Sequence, residues 1–266
     1  LRENNSKRWG AVLAEQLREQ VGNLMAAAQL LTPAIQERED RKYSQYLGIL
    51  NQSLYRLLRL TEQVDFAAQG EIRDFRPAPV DIAHIVQDLG AQVEPLAEHI
   101  GVSFDWEIEG HPLLLLGDED LLRRMLLNLI ANALKAAGAG GRAGMRLTGE
   151  GKRGRIAVWD DGPKGVLPGG EGAELPLEAL LKEREGLGLG LEIAREIARL
   201  HGGALILERG ENRGLRAVVS LPGGLEDLDT LRTPRMGFDA TGGFSQVLVE
   251  LSQVLPFDSF LPEDVE

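Results

Sequence analysis

Apolar residues spaced alternately four and three apart run through the first seventy positions. Gly10, Ala14, Leu17, Val21, Leu24, Ala28 and Leu31 form one row, and Tyr43, Leu47, Leu50, Leu54, Leu57, Thr61, Val64 and Ala68 form a second. This heptad spacing predicts two long helices over about 5–69, folded into an antiparallel hairpin around Thr32-Pro33 and a charged turn. Leu13, Met25, Leu58 and Leu60 widen the stripe beyond what one hairpin hides. Two hairpins paired as a four-helix bundle would bury it, so a homodimer is expected. The alternative is a hairpin packed on its own C-terminal domain.

After Phe75-Arg76-Pro77-Ala78-Pro79, a Pro-flanked linker, the period changes. Ile82, Ile85, Val86, Leu89, Val93 and Leu96 mark a helix, whereas Val102, Phe104, Trp106 and Ile108 alternate strictly and mark a half-buried strand. Asp118 is placed to cap a helix that carries Asn128 and Asn132. Strands follow near Met145–Thr148 and Arg155–Trp159. Ile193, Ala194, Ile197, Ala198 and Leu200 then trace a helix that stops at His201-Gly202-Gly203, and a hairpin at Ala204–Glu208 and Leu215–Leu221 completes the set. The expected class is α+β: a helical hairpin followed by an α/β sandwich with its helices on one side of the sheet. Past Pro222 the chain is rich in Gly and Asp, but Phe244, Val247, Leu248, Leu251 and Val254 share a helical face and predict a short helix docked on the body. The expected divisions are 1–73, 74–222 and a tail at 223–266.

Charge and composition narrow the functions. A net charge of −12 speaks against non-specific nucleic-acid binding, which needs a basic surface to displace counterions. With no cysteine there is neither a disulfide framework nor a thiolate metal site. No apolar run reaches the roughly 18 residues of a membrane span, so this stretch of chain is expected to be cytoplasmic. It lacks an initiator Met and opens inside a polar stretch, as a fragment would. A membrane anchor elsewhere in a longer protein therefore stays open.

The chemistry concentrates in three boxes. Glu185-Gly186-Leu187-Gly188-Leu189-Gly190-Leu191 runs directly into a helix. Glycines there let the backbone approach an anion, and a helix start offers unpaired N–H groups to it. The same pattern also serves as plain punctuation. Asn128, Asn132 and Lys135, at i, i+4 and i+7, share one helix face. Asn132 suits a hard cation and Lys135 a phosphate, although a solvent-facing polar stripe has the same spacing. Asp160 ends a strand before Gly162, and Asp161 fits an ordinary turn equally well.

In that order the three boxes resemble the ATP-binding domain shared by sensor histidine kinases, DNA gyrase B, Hsp90 and MutL, and most closely the sensor histidine kinases. The likeness extends over about 5–222. It implies ATP and Mg²⁺ as ligands, with Asn132 on the metal, Asn128 beside the nucleophile's approach and Asp160 accepting the adenine amino proton. Lys135, Gly162, Gly165, Gly186, Gly188, Leu189 and Gly190 complete the implied nucleotide site. It implies as partners a response regulator or a partner kinase. The pattern Asp-x-Gly-x-Gly is broken here by Lys164, and 166–185 contains no Phe where such kinases often carry an aromatic box. Leu175-Pro176-Leu177-Glu178-Ala179-Leu180-Leu181 stands in as a short apolar helix, with Lys182 or Arg184 near a γ-phosphate as a further option.

The nucleophile departs most. Aligned on Leu30-Leu31, the family's acceptor motif falls on Glu15-Gln16-Leu17-Arg18-Glu19-Gln20-Val21, so the phosphoacceptor position holds Glu15. His84, His99, His111 and His201 all lie beyond the hairpin, and His201 reads as a charge partner for a helix C-terminus. No catalytic residue is assigned. Three functions stay open: a kinase-like ATP-binding signalling core, a non-catalytic docking module for a regulator or kinase, and an ATPase or Ser/Thr kinase of the same superfamily.

Overall fold

In the first unit one helix, α1 (Arg41–Gln69), dominates. Its faces divide sharply. Leu47, Leu54, Leu58 and Thr61 are buried, while Tyr43, Tyr46, Leu50, Leu57 and Leu60 are exposed. The preceding helical residues split in the same way: Val21 and Ala28 are buried, Leu17 and Leu24 exposed. Each heptad row thus sends alternate members inward and outward, because a seven-residue period supplies two positions per repeat and they diverge around the helix. The computed structural model describes residues 17, 21, 22, 24, 28, 41–69, 75–110, 114–150, 153–162, 189–209, 214–223 and 244–261.

The expected division at 223–266 does not match the compact units. One unit comprises Leu1–Ile72 with Asp239–Glu266, and the other Arg73–Phe238. The C-terminal helix, α5 (Gln246–Leu251), is capped by Ser245, and a 3₁₀ turn follows at Phe257–Phe260. Both pack on α1, burying Val247, Leu248, Leu251 and Phe260.

The second unit is a two-layer α/β sandwich. Five strands, β2 (Ser103–Glu109), β4 (Arg142–Glu150), β5 (Arg153–Asp160), β6 (Ala204–Arg209) and β7 (Leu215–Pro222), form a sheet in the order β2-β4-β5-β7-β6. Only β2 and β4 run parallel. Helices α2 (Ile82–His99), α3 (Glu119–Ala137) and α4 (Leu189–Leu200) line one face. Period-two alternation puts Met145, Leu147, Ile156, Val158, Val219 and Leu221 on that face, all buried. Trp106 of β2 lies against α2 at Gly90, where a Cβ would come within 2.5 Å of the indole.

Two strands were not foreseen. β1 (Ala78–Asp81) pairs antiparallel with β3 (Leu114–Gly117), with Pro79 opposite Leu116. The expected linker therefore becomes strand at Ala78, and Pro79 is tolerated because a two-stranded ribbon is all edge. The Leu114–Leu116 run carries no alternation that would have marked β3.

Candidate nucleotide-binding site

Asp160 extends the inward-facing row of β5 that begins with Ile156 and Val158, so its carboxylate arrives on the helix side of the sheet and is buried. There it lines a cleft with Asn132 and Leu129 of α3, Leu191 of α4, and Leu215 and Ala217 of β7; Ala133 and Val158 complete its described walls. Four separate stretches of sequence thus meet on one cleft. Asp160 Oδ1 accepts a hydrogen bond from the Gly162 amide at 3.1 Å, which fixes the carboxylate's orientation.

The neighbouring Asp161 takes the structural role. Its Oδ1 accepts from the Arg142 amide at 2.7 Å, and its own amide donates to the Arg142 carbonyl at 3.0 Å, tying the turn to the start of β4. The glycine requirement here is one of space. A Cβ on Gly162 would run into the carbonyl oxygen of Ala136, near the C-terminal end of α3, and one on Gly214 into the carbonyl of Asp160. The turn is therefore pressed between α3 and β7, and that contact holds Asp160 beside Asn132.

The polar face of α3 is only partly brought to the cleft. Asn132 is half-buried on its wall. Asn128, one turn earlier, is buried, and its Nδ2 donates to the Arg124 carbonyl at 3.0 Å. The backbone of its own helix thus satisfies that amide, so burial of Asn128 does not itself require a ligand. Lys135 is exposed and not among the described walls. Leu189 and Gly190 form the first turn of α4, half-buried, with Leu191 directed into the cleft. Gly165, Gly186, Gly188, Lys164, Lys182, Arg184 and Leu175–Leu181 lie outside the described residues, as does Glu15 with Gln16, Glu19 and Gln20.

Away from the cleft, at the start of α3 and the end of α4, His201 joins three elements. The Asp118 amide donates to its Nε2 at 2.9 Å, so Nε2 is unprotonated and Nδ1–H faces the Ile197 carbonyl at 2.7 Å. Burial holds its pKa below the usual histidine value. The expected charge partner of the helix end is therefore a neutral imidazole that satisfies an orphan carbonyl by hydrogen bonding. Asp118, as expected, caps α3 through Oδ1 to the Leu121 amide at 3.2 Å, and its Oδ2 accepts from the Arg76 amide at 2.8 Å. The Phe75 ring stands edge-on to the imidazole at 5.1 Å.

Residues 117–224, the stretch that holds this cleft, match the family model of the histidine kinase-, DNA gyrase B- and HSP90-like ATPases. The chain is built as a sensor histidine kinase core. Sensor protein kinase PmrB of Pseudomonas aeruginosa is 26% identical over 232 residues, covering 85% of this chain and 47% of that protein. Probable sensor protein PcoS of Escherichia coli is 30% identical over 210 residues, covering 74% and 42%. The crystal structure of full-length ShkA in complex with AMPPNP aligns with a TM-score of 0.63 at 26% identity, over 82% of this chain and 46% of that one. The kinase core thus spans less than half the length of the curated relatives it matches.

Sequence reasoning found the polar members of the cleft and missed its apolar walls. Leu215 and Ala217 were read only as hairpin residues, because alternation fixes two faces without saying which one meets a cavity. No sequence signal linked His201 to Asp118, 83 residues away.

Proposed function

We propose that the chain binds ATP with Mg²⁺ as the nucleotide-handling core of a two-component signalling protein, and that it lacks a histidine phosphoacceptor at the family's usual place. The convergence of Asn132 and Asp160 on one cleft carries this reading. The donor set fits the ligand. Leu129, Ala133, Val158, Leu215 and Ala217 offer the apolar walls that a planar base fills, and the Asp160 carboxylate accepts an exocyclic amine, which favours adenine over guanine. The Asn132 amide oxygen is a hard donor for Mg²⁺. The first turn of α4, at Leu189 and Gly190, offers backbone N–H groups to phosphate. The bound metal would neutralise phosphate charge, and the chain's residues would orient the nucleotide around it.

The exposed row Tyr43, Leu50 and Leu57, with Tyr46 and Leu60, supports a homodimer through the helical unit. A response regulator or a partner kinase is the proposed downstream contact, as the kinase resemblance implies. Among the described residues no helix is long and apolar enough to cross a membrane.

The missing histidine favours a second reading, a docking module that binds nucleotide without transferring phosphate. Transfer needs a nucleophile about 3–3.5 Å from the γ-phosphorus and in line with the leaving group. Glu15 holds the aligned position, and an acyl phosphate there is labile. Calorimetry of ATP with and without Mg²⁺, followed by incubation with labelled ATP, separates the outcomes. Mg²⁺-dependent binding without acid-labile phosphohistidine is expected. Absence of any ATP binding overturns the reading. Label that vanishes with His84→Ala or His99→Ala overturns the acceptor alignment, and label that vanishes with Glu15→Ala identifies an acyl phosphate. Steady phosphate release would mark an ATPase.

A further inference from the structure

One face of α1 is used entirely by the C-terminal segment. Gly48, Asn51, Gln52, Tyr55, Arg56 and Arg59 fall at i, i+3, i+4, i+7, i+8 and i+11, a single helical stripe. Three of them read backbone. Asn51 Nδ2 donates to the Phe260 carbonyl at 3.0 Å, Gln52 Nε2 to Leu255 at 2.6 Å and Arg56 Nε to Ser252 at 2.9 Å. These carbonyls lie past the end of α5, where a short helix leaves acceptors unmatched. Arg59 Nε then meets Glu250 Oε2 at 2.9 Å, with both side chains nearly inaccessible. Tyr55 fills the middle, its ring 6.0 Å from that of Phe244 and 5.3 Å from that of Phe260. At Gly48 a Cβ would come within 2.7 Å of the Phe257 carbonyl oxygen, so the 3₁₀ turn rests on the bare backbone of α1.

A six-residue helix and a single 3₁₀ turn have no stability of their own. Conversely, α1 without them would expose Tyr55 and leave the Arg59 guanidinium without this carboxylate. Each side therefore depends on the other, although 166 residues of the nucleotide-binding unit, Arg73–Phe238, separate their compact unit in sequence. We infer that residues 244–261 form a clasp, an integral layer of the helical unit that closes one flank of α1. The nucleotide-binding unit is then an insertion between two segments of one fold. The clasp stripe lies on the opposite side of α1 from Tyr43, Leu50 and Leu57, so the exposed row is the face left to a second copy. The clasp does not rest on the nucleotide reading.

Amide hydrogen exchange of the full chain tests this, with ATP calorimetry as a control on the inserted unit. Glu250→Arg is expected to speed exchange in both 48–59 and 246–260 by on the order of a hundredfold or more, as breaking a buried ion pair does. The charge swap Arg59→Glu with Glu250→Arg is expected to recover most of that protection. Gly48→Ala separates clasp from helix. Alanine favours an isolated helix over glycine, so it protects α1 if the clasp is incidental, whereas a seated clasp is dislodged and exchange rises at 257–260. ATP binding is expected to be unchanged throughout. Unchanged exchange in Glu250→Arg, a rise confined to 246–260, no recovery in the swap, or added protection in Gly48→Ala would each overturn the inference.

Discussion

In the α/β unit the buried polar side chains divide between the cleft, at Asp160, and the junction of His201 with Asp118; in the helical unit they gather where one part of the chain holds another. Buried Asp160 and half-buried Asn132 line a cleft whose other described walls are apolar. Arg59, Glu250, Gln52 and Thr61 serve internal hydrogen bonds of the helical unit. The large apolar residues divide the other way. The sandwich hides nearly all of its described ones, with Leu116 the exception, whereas α1 leaves Tyr43, Tyr46, Ile49, Leu50, Leu57 and Leu60 in solvent. A unit with its own closed core can spend polar groups on a ligand. A unit that relies on further chain to finish its core needs polar groups to fix that chain's register.

The largest expected effect breaks the open unit without touching the closed one. Leu50→Asp with Leu57→Asp puts two carboxylates on the exposed row of α1, and desolvating them in an interface costs several kcal/mol. A fall in dimer affinity of about a hundredfold or more, roughly 2.7 kcal/mol, is expected by light scattering, with ATP binding unchanged. A wild-type chain that is monomeric at tens of micromolar (order of magnitude) would remove the contrast, because the exposed row would then need another explanation.

Next in size is Gly162→Ala, which tests how closed the sandwich is. Its Cβ would strike the Ala136 carbonyl, and overpacking of this kind costs about 1–3 kcal/mol. Because the strain falls on the turn that fixes Asp160, ATP affinity is expected to drop together with the urea midpoint. Loss of stability with full ATP affinity would show that the turn is structural only.

How far the sequence was legible follows the same division. Heptads announced helix, but the rows mixed inward and outward residues. Leu47 and Leu50 look equivalent in sequence, yet one is buried and the other exposed. Alternation announced β5 and even placed Asp160 at its end. It could not say that Asp161, one residue on, would be the one tied to Arg142. Asn128 and Asn132 read as a pair, yet one bonds its own helix and the other opens on the cleft, because four residues per step drift around the helix relative to the 3.6-residue turn. The docked C-terminal helix was announced by its apolar face, but its register on α1 and the His201 junction were invisible for a plain reason: both are fixed in large part through backbone groups, which every residue carries.

A smaller effect is expected of Asn132→Ala. If the amide is a metal donor, its removal weakens Mg-ATP by about tenfold, roughly 1.4 kcal/mol, and leaves metal-free ADP nearly unaffected. Equal weakening of both would reduce Asn132 to a wall residue like Leu129.

The smallest effect is a pH dependence confined to the closed unit. Burial disfavours the imidazolium of His201, and in the neutral ring Nε2 accepts from the Asp118 amide. Its folded pKa therefore lies below the unfolded value of about 6.5. Above that pH neither state is protonated, and the contribution to stability is complete. As pH falls through about 6.5 the unfolded chain takes up the proton first, and stability declines until the depressed folded pKa is passed. The hydrogen bond to the Ile197 carbonyl and the nearby Asp118 charge oppose the shift, but the Asp118 carboxylate is engaged by the Leu121 and Arg76 amides, and desolvation prevails. The urea midpoint of the sandwich is thus expected to fall between about pH 7 and pH 5, and His201→Gln, which offers an acceptor that does not titrate, is expected to flatten that slope. Exchange at Leu121 and at Ile197 should rise with acid in the wild type, since the junction ties the start of α3 to the end of α4. An unchanged slope in His201→Gln would assign the acid sensitivity elsewhere and leave the junction a matter of packing alone.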